Sequence, residues 1–327
     1  MVVKPVAVIA GASGFVGPAL AQAFRDDGYD VRLIGRSADV TWNDPAGIAL
    51  LIDGSAVVIN MAGKSVNCRY NDRNRNEILH SRVDTTRALR VAMAAASNPP
   101  AVWFNSSTAT IYRHATDRPN TEADGELGEG FSVDVARNWE QEFFADELPS
   151  TRRVALRMAI VLGDGPAMNT LLTLARIGLG GPQIDSWWFP HRRYRGIGAT
   201  PSGNDRLSWH RTSGHQKFSW VHIDDVVKAV RFLRDNDELS GPVNVVSPHP
   251  SDNRTLMHTL RRAVGAPFGL PAWRWMLDPA MWVLRTEPEL VLKSRWVIPG
   301  VLTAAGFTFT YPDLRDAVDD ITGRARN

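Results

Sequence analysis

The chain is poor in the features that most directly announce a function. Cys68 is the single cysteine among 327 residues, so neither an internal disulfide nor a Cys-rich metal centre can form. That scarcity suits a reducing compartment, and the cytoplasm is the expected location. The formal net charge is only +2. Such a balance offers no field to draw nucleic acid or an anionic membrane, and a small molecule is the expected partner. Eight His and 35 acidic residues fall in no HExxH-like spacing, so no metal is expected. Internal repeats and low-complexity tracts are absent too.

Residues 6–24 carry no charge and approach the length of a membrane span. They also contain Gly11, Gly14, Gly17 and Pro18, and no basic flank or small-residue cleavage site marks a signal peptide. A buried strand, a tight turn and a helix account for the stretch better. "PVAVIAG" is the continuous apolar run of a strand covered on both faces, and "GPALAQAFRDDGY" has helical spacing. Further strands are read in "DVRLIGRS", "SAVVINMAG", "AVWFNSST", "RRVALRMAIVLG" and "PVNVVS". Helices are read over 72–96, over "FSVDVARNWEQEFFADEL" and in "PAMNTLLTLARIGLGG". "FSWVHIDDVVKAVRFLRDN" reads as a short strand running into a helix.

Strands alternating with helices predict an α/β fold, a Rossmann-type doubly wound parallel sheet. The expected nucleotide-binding domain is 1–165, also receiving 217–248. The remainder, 166–327, is expected to form a smaller, mostly helical substrate lobe with an aperiodic aromatic and Arg-rich insertion at 183–216.

"GASGFVG" sets glycines at 11, 14 and 17 between the first strand and the first helix. Strand, glycine loop and helix in that order form the setting of a dinucleotide site. Gly11 allows the tight turn, Gly14 lets a pyrophosphate approach, and Gly17 lets the helix pack. Ser13, Phe15 and Val16 belong to the same loop, whose helix N-terminus offers N–H groups to the phosphates. The second strand ends in "IGRS". An acid there would hold a ribose 2′-hydroxyl, whereas Arg36 and Ser37 favour a 2′-phosphate, hence NADP(H) over NAD(H). Met61, Ala62 and Gly63 end the strand before the long helix and are expected to lie against the cofactor, as is Ser106.

"GASGFVG", "NMAG", "SSTATIY", "LRMAIVLGDG" and "WVHIDDVVKAV" together resemble the extended short-chain dehydrogenase/reductases, the NAD-dependent epimerase/dehydratase superfamily. "RYNDRNRNEILHSRV", "ARNWE", "GLGGP", "GPVNVVSP" and "AAGFTFTYPDL" are similar to one bacterial branch of it. Members of that branch are called epimerase family proteins and carry a C-terminal domain of unknown function. The resemblance implies the fold and cofactor already read, and an oxidoreductase or epimerase activity.

It also exposes a departure. The superfamily's Tyr-x-x-x-Lys falls, with Glu140 as anchor, on Ser132 and Ala136. The superfamily's catalytic Ser or Thr falls on Thr108. A lone Ser hydroxyl is a poor acid or base near neutrality, so Ser132 is expected to be a bystander. Thr108 and Tyr112 are the expected catalytic residues, with water or a His as other proton sources. The branch motifs bring Arg69, Arg82 and His222 as candidate substrate contacts, the Arg side chains suiting carboxylate or phosphate groups. The insertion reads as a lid whose aromatics cover an apolar part of the substrate while Arg192 or Arg193 meets an anionic part. Its rival reading is a homodimer-contact arm. The absent Tyr/Lys pair keeps a second function class open: an NADP(H)-binding protein without net redox turnover, such as a redox sensor or a non-redox isomerase or cyclase.

Overall fold

The run VAVIA forms β1 (Val6–Ala10), and its alternate residues enter two different cores. Ala7 and Ile9 pack with Leu20 and Phe24, while Val8 and Ala10 pack with Ile48, Ile52 and Leu89. A strand that buries both faces has no place for alternating polar residues, which is why it reads as an unbroken apolar stretch. The computed structural model describes residues 4–189, 191–203, 210–283 and 287–323.

With β2 (Asp30–Gly35), β3 (Val40–Thr41), β4 (Val57–Asn60), β5 (Val102–Thr108) and β6 (Arg152–Met158), β1 builds a seven-stranded sheet. The seventh strand is Gly241–Val245, and the order across the sheet is Gly241–Val245, β6, β5, β4, β1, β2, β3. All neighbouring pairs are parallel. α1 (Gly17–Asp26) and the helix Ile223–Asp235 cover one face. α2 (Pro45–Ile52), α3 (Asp72–Ala95) and α4 (Phe131–Phe143) cover the other. This is the doubly wound α/β sheet that the sequence predicts. The chain leaves β1 toward β2 and β3, then returns to place β4 on the other side of β1. A crevice opens at the carboxyl ends of the strands at that reversal, the usual ligand position in such sheets.

α2 is absent from the sequence reading. It begins where Asp44 accepts from the Gly47 amide at 2.9 Å and Pro45 occupies the first turn, a start signal that its short, nearly all-apolar body obscures. Beyond the sheet, the helices Pro166–Arg176, Asn253–Val264 and Leu314–Ile321 gather around Leu172, Trp220, Leu260 and Val318.

The described residues of the span 183–216 hold little regular structure. Gln183–Ile184 pairs with Ala272–Trp273, and a single 3-10 turn spans Arg192–Tyr194. Two buried side chains fasten the segment to the helices that cover the sheet. From α3, the Arg75 guanidinium donates to the carbonyls of Arg192, Arg193, Arg195 and Gly196. From α4, the Asp134 carboxylate accepts from the Ile197 amide at 3.0 Å and the Ser202 amide at 2.7 Å. No helix among the described residues is long and apolar enough to cross a membrane.

Candidate functional site

The glycine loop is shaped by backbone. Gly11 has φ +80°, and a Cβ there would lie 2.6 Å from the Ala62 amide nitrogen and the Met61 carbonyl carbon. The end of β4 therefore presses directly on the loop, which only glycine permits. A Cβ on Gly17 would meet the Ala12 Cα at 2.6 Å. Gly14 differs: the only atom near its Cβ position is the Gly11 carbonyl oxygen at 3.5 Å, so its free side faces the cleft. α1 starts without a side-chain cap, leaving its first amides to an anion.

Gly11, Gly14, Phe15, Val16, Gly17, Met61, Ala62, Gly63, Ser106 and Thr108 line one cleft of about 480 Å³. Ser13, Arg36 and Ser37 line an adjoining recess beside the end of β2. Arg36 is exposed, and among the described residues no carboxylate pairs with it. Asp39, the next acid along, turns back to accept from the Leu33 amide at 2.8 Å. The turn after β4 is pinned from beneath. Buried Asn60 accepts from the Ala62 amide at 3.0 Å and donates to Asn105 Oδ1 at 2.7 Å. Arg82 reaches the cleft against Gly63. It donates to the Lys64 and Ile78 carbonyls at 3.1 and 2.9 Å and lies over the Trp139 ring. Burial pushes its pKa down to about 10, so it stays cationic at neutral pH, and no carboxylate pairs with it among the described residues.

The structure redistributes the remaining candidates. Thr108 lines the cleft, its hydroxyl accepting from the Thr110 amide at 3.1 Å. Tyr112 does not join it. That ring is 1% exposed, and its hydroxyl donates to Asn244 Oδ1 at 3.0 Å and accepts from Arg157 at 2.8 Å. Arg157 is in turn bound twice by Glu140, which also accepts from Ser107 at 2.6 Å. Tyr112 is a strut in a buried polar network, turned away because the 3-10 turn Ala109–Ile111 redirects the chain after β5.

Arg69 also misses the cleft: it lies 4.0 Å over the Trp282 ring and donates to the Trp282 carbonyl. Arg193 is neutralised by Asp278 and Glu287, so it is not free to meet a substrate anion. Arg192 is exposed, its carbonyl held by Arg75. His222 is buried as the cap of the helix Ile223–Asp235, accepting from the Asp224 amide at 3.3 Å. With Asp224 and Asp320 it brings three potential ligand atoms within 4.8 Å of one another, outside the cleft. Trp187 and Phe189 in the insertion are 56% and 61% exposed and line neither the cleft nor the adjoining recess.

Ser132, set aside in the sequence reading, lines the cleft. Its hydroxyl donates to Glu289 Oε2 at 3.3 Å and hydrogen-bonds the Tyr70 phenol, whose pKa burial drives upward. Ala136 is fully buried beside Tyr112 and Val246, a packed position with no room for a Lys. Lys293 enters from the C-terminal lobe and donates to the Thr110 carbonyl at 2.9 Å. Tyr70 sits inside a motif visible in the sequence. Lys293 and Glu289 carry no spacing signal, because only the tertiary fold brings them to β5 and α4.

The model of the NAD dependent epimerase/dehydratase family matches residues 7–132, and a domain of unknown function, DUF1731, matches 275–321. The mouse (Mus musculus) epimerase family protein SDR39U1 is 29% identical over 325 residues, covering 96% of this chain and 98% of the relative. The Bacillus subtilis epimerase family protein YfhF is 26% identical over 321 residues, covering 95% and 96%. Human SDR39U1 isoform 2, solved with NADPH, superposes with a TM-score of 0.81 at 26% identity, covering 98% of this chain and 100% of that one. A UDP-N-acetylglucosamine 4-epimerase from Bacillus cereus shares the fold, with a TM-score of 0.69 at 15% identity over 98% and 96% of the two chains. Two matched segments, and relatives aligned over nearly their whole length, lead to one conclusion: the chain is similar to the NAD dependent epimerase/dehydratase family over residues 7–132, to DUF1731 over 275–321, and to epimerase family proteins over nearly all of its length.

Proposed function

We propose that the chain is an NADP(H)-dependent oxidoreductase or epimerase of the extended short-chain dehydrogenase/reductase type, acting on a small polar or anionic substrate. The observation that carries the cofactor reading is the junction of the two hollows. A glycine loop filled by backbone at Gly11 and Gly17 and open at Gly14 adjoins a recess rimmed by unpaired Arg36 and by Ser37, with no acid lining it. A pyrophosphate fits the first and a 2′-phosphate the second. The NADPH held by the human relative supports the same choice. The bound cofactor would supply the hydride, and the chain would supply orientation and proton handling.

Thr108 and Ser132 line the cleft, whereas Arg36 lines the adjoining recess. Ser132 alone is a weak acid, but its bond to Glu289 gives its proton somewhere to go. We assign the proton path to Ser132 and Glu289, with Thr108 orienting the substrate oxygen and Tyr70 holding Ser132 in place. Arg82 is assigned to an anionic group of cofactor or substrate.

One observation favours the second reading, cofactor binding without net turnover. The Lys that would hold the nicotinamide ribose has no counterpart in α4, where Ala136 is packed solid. The experiment that separates the two is NADPH absorbance followed with a panel of carbonyl compounds, beside a fluorescence titration of NADPH. Binding with oxidation supports the first reading. Binding with no oxidation across the panel supports the second, and no binding defeats both.

A further inference from the structure

Behind the wall that carries Thr110 and Ser132 lies a second cavity of about 450 Å³, within the range of small-molecule sites. The two hollows share that wall: Thr110 and Ser132 line the cleft, while Lys293 and Glu289, which bond to them, line the cavity.

The cavity's charges are unequally matched. Arg113 is held by Asp117 and Glu126, and Arg274 by Asp185 and Asp278. Lys293 has no such pairing: among the described residues its one hydrogen-bond acceptor is the Thr110 carbonyl. Two other donors on the lining lack partners. His114 Nδ1 accepts from the Ser294 amide at 3.1 Å, which puts the ring proton on Nε2, and Nε2 has no acceptor. The buried Tyr194 hydroxyl has none either. An unanswered buried donor is costly, about 1–3 kcal/mol, so this set calls for a ligand that brings acceptors and negative charge. Leu127, Leu292 and the His114–His210 stack, with rings 3.4 Å apart, give the rest of the lining a flat apolar character. Glu129, Asp185 and Glu289 stand in the same walls and would repel a dianionic phosphate more than a single carboxylate.

We propose that this cavity binds the carboxylate of a small, flat organic acid between Lys293, His114 and Tyr194. The site stands beside the cleft read as the NADP(H) site, across the wall that carries Thr110 and Ser132. Burial holds Lys293 down at about 8 and His114, with cationic neighbours, at about 3, so the ammonium is the cavity's titrating charge around neutral pH. The other groups facing Lys293 are Glu289 and Arg295 from its own segment, His114 and Arg113 from the segment after β5, and His210 from the insertion.

The test is calorimetric titration of the NADPH-saturated protein with benzoate, its neutral isostere benzamide, and inorganic phosphate. Benzoate is expected to bind about tenfold or more tighter than benzamide, as a charge-assisted contact implies, and tighter than phosphate. Lys293→Met should lose about that factor for benzoate while NADPH affinity, read by fluorescence, stays put. Wild-type affinity for benzoate should fall as pH rises through about 8, a readout that survives if the variant does not fold. Equal binding of benzoate and benzamide, tighter binding of phosphate, an unchanged Lys293→Met titration or a flat pH series would each overturn the proposal. A protein that fails to bind NADPH but still discriminates benzoate from benzamide would overturn the cofactor reading and leave the cavity standing.

Discussion

Replacing Tyr112 by Phe removes one oxygen from the buried network that runs Ser107, Glu140, Arg157, Tyr112, Asn244. The phenol spans two partners, donating to Asn244 and accepting from Arg157, and all three groups are buried. In the variant an Arg157 N–H and the Asn244 carbonyl both lose their partner. Each loss costs about 1–3 kcal/mol in a buried setting. Arg157 keeps its two bonds to Glu140, so the charge itself stays compensated and the sum should lie in the lower half of the combined range, about 2–4 kcal/mol. At about 2–4 °C per kcal/mol for large domains, the melting temperature should drop by roughly 4–16 °C. NADPH affinity and turnover per folded molecule should be unchanged, because Tyr112 lines neither hollow. Glu140→Gln should be harsher, about 3–5 kcal/mol, since it strips the countercharge from a buried guanidinium. Thermal melts of both variants beside NADPH titrations measure this. A Tyr112→Phe protein that melts like the wild type but has lost turnover would refute the structural assignment and return Tyr112 to the chemistry.

Arg36→Asp should reverse or erase the preference for NADPH over NADH, an effect of about tenfold to hundredfold for a lost guanidinium–phosphate contact, read as the ratio of dissociation constants. Ser132→Ala should lower turnover with NADPH affinity preserved, and Glu289→Gln should lower it in the same way; Thr108→Val should also lower it, by weakening substrate orientation. An active Ser132→Ala enzyme would remove Ser132 from the proton path. His114 is held neutral by burial, then by its cationic neighbours, with its pKa near 3 rather than 6.5. The unfolded chain takes up the proton first, so this contribution to stability is whole above about pH 6.5 and is lost as pH falls toward 3. His114→Asn keeps an acceptor for the Ser294 amide and should flatten that part of the acid-side decline in melting temperature; an unchanged acid profile would show that His114 is not its source.

The parallel sheet and the cofactor cleft were legible because their signals are local. An apolar run, a glycine loop and a helix start lie next to each other in sequence, and each glycine has a backbone reason visible at Gly11 and Gly17. The rest of the cleft's lining was legible only in part. Thr108 ends a strand whose direction can be read, so it lands in the cleft. Tyr112 lies four residues further on, past a 3-10 turn that sequence does not reveal, and it is turned into the core. Arg69 and Arg193 look like anion receptors until their partners Trp282, Asp278 and Glu287 arrive from more than eighty residues away. Lys293 and Glu289 reach the wall of the cleft by the same long-range route, from a segment with no periodic pattern.

The fastening of the insertion has a consequence for how this protein can change. Arg75 grips four main-chain carbonyls, and a carbonyl is supplied by every amino acid. Substitution at the exposed position 192 therefore leaves the anchor intact, whereas a side chain at Gly196 would collide with the Asp134 carboxylate and the Ser202 backbone. The position of Tyr194 over the second cavity is set by its neighbours' backbone and by the pairing of Arg193 with Asp278 and Glu287. Lineages can thus rewrite the face that this loop shows to a ligand while inheriting the loop's position unchanged, and divergence in substrate choice should collect at position 192 while Arg75, Asp134 and Gly196 stay fixed.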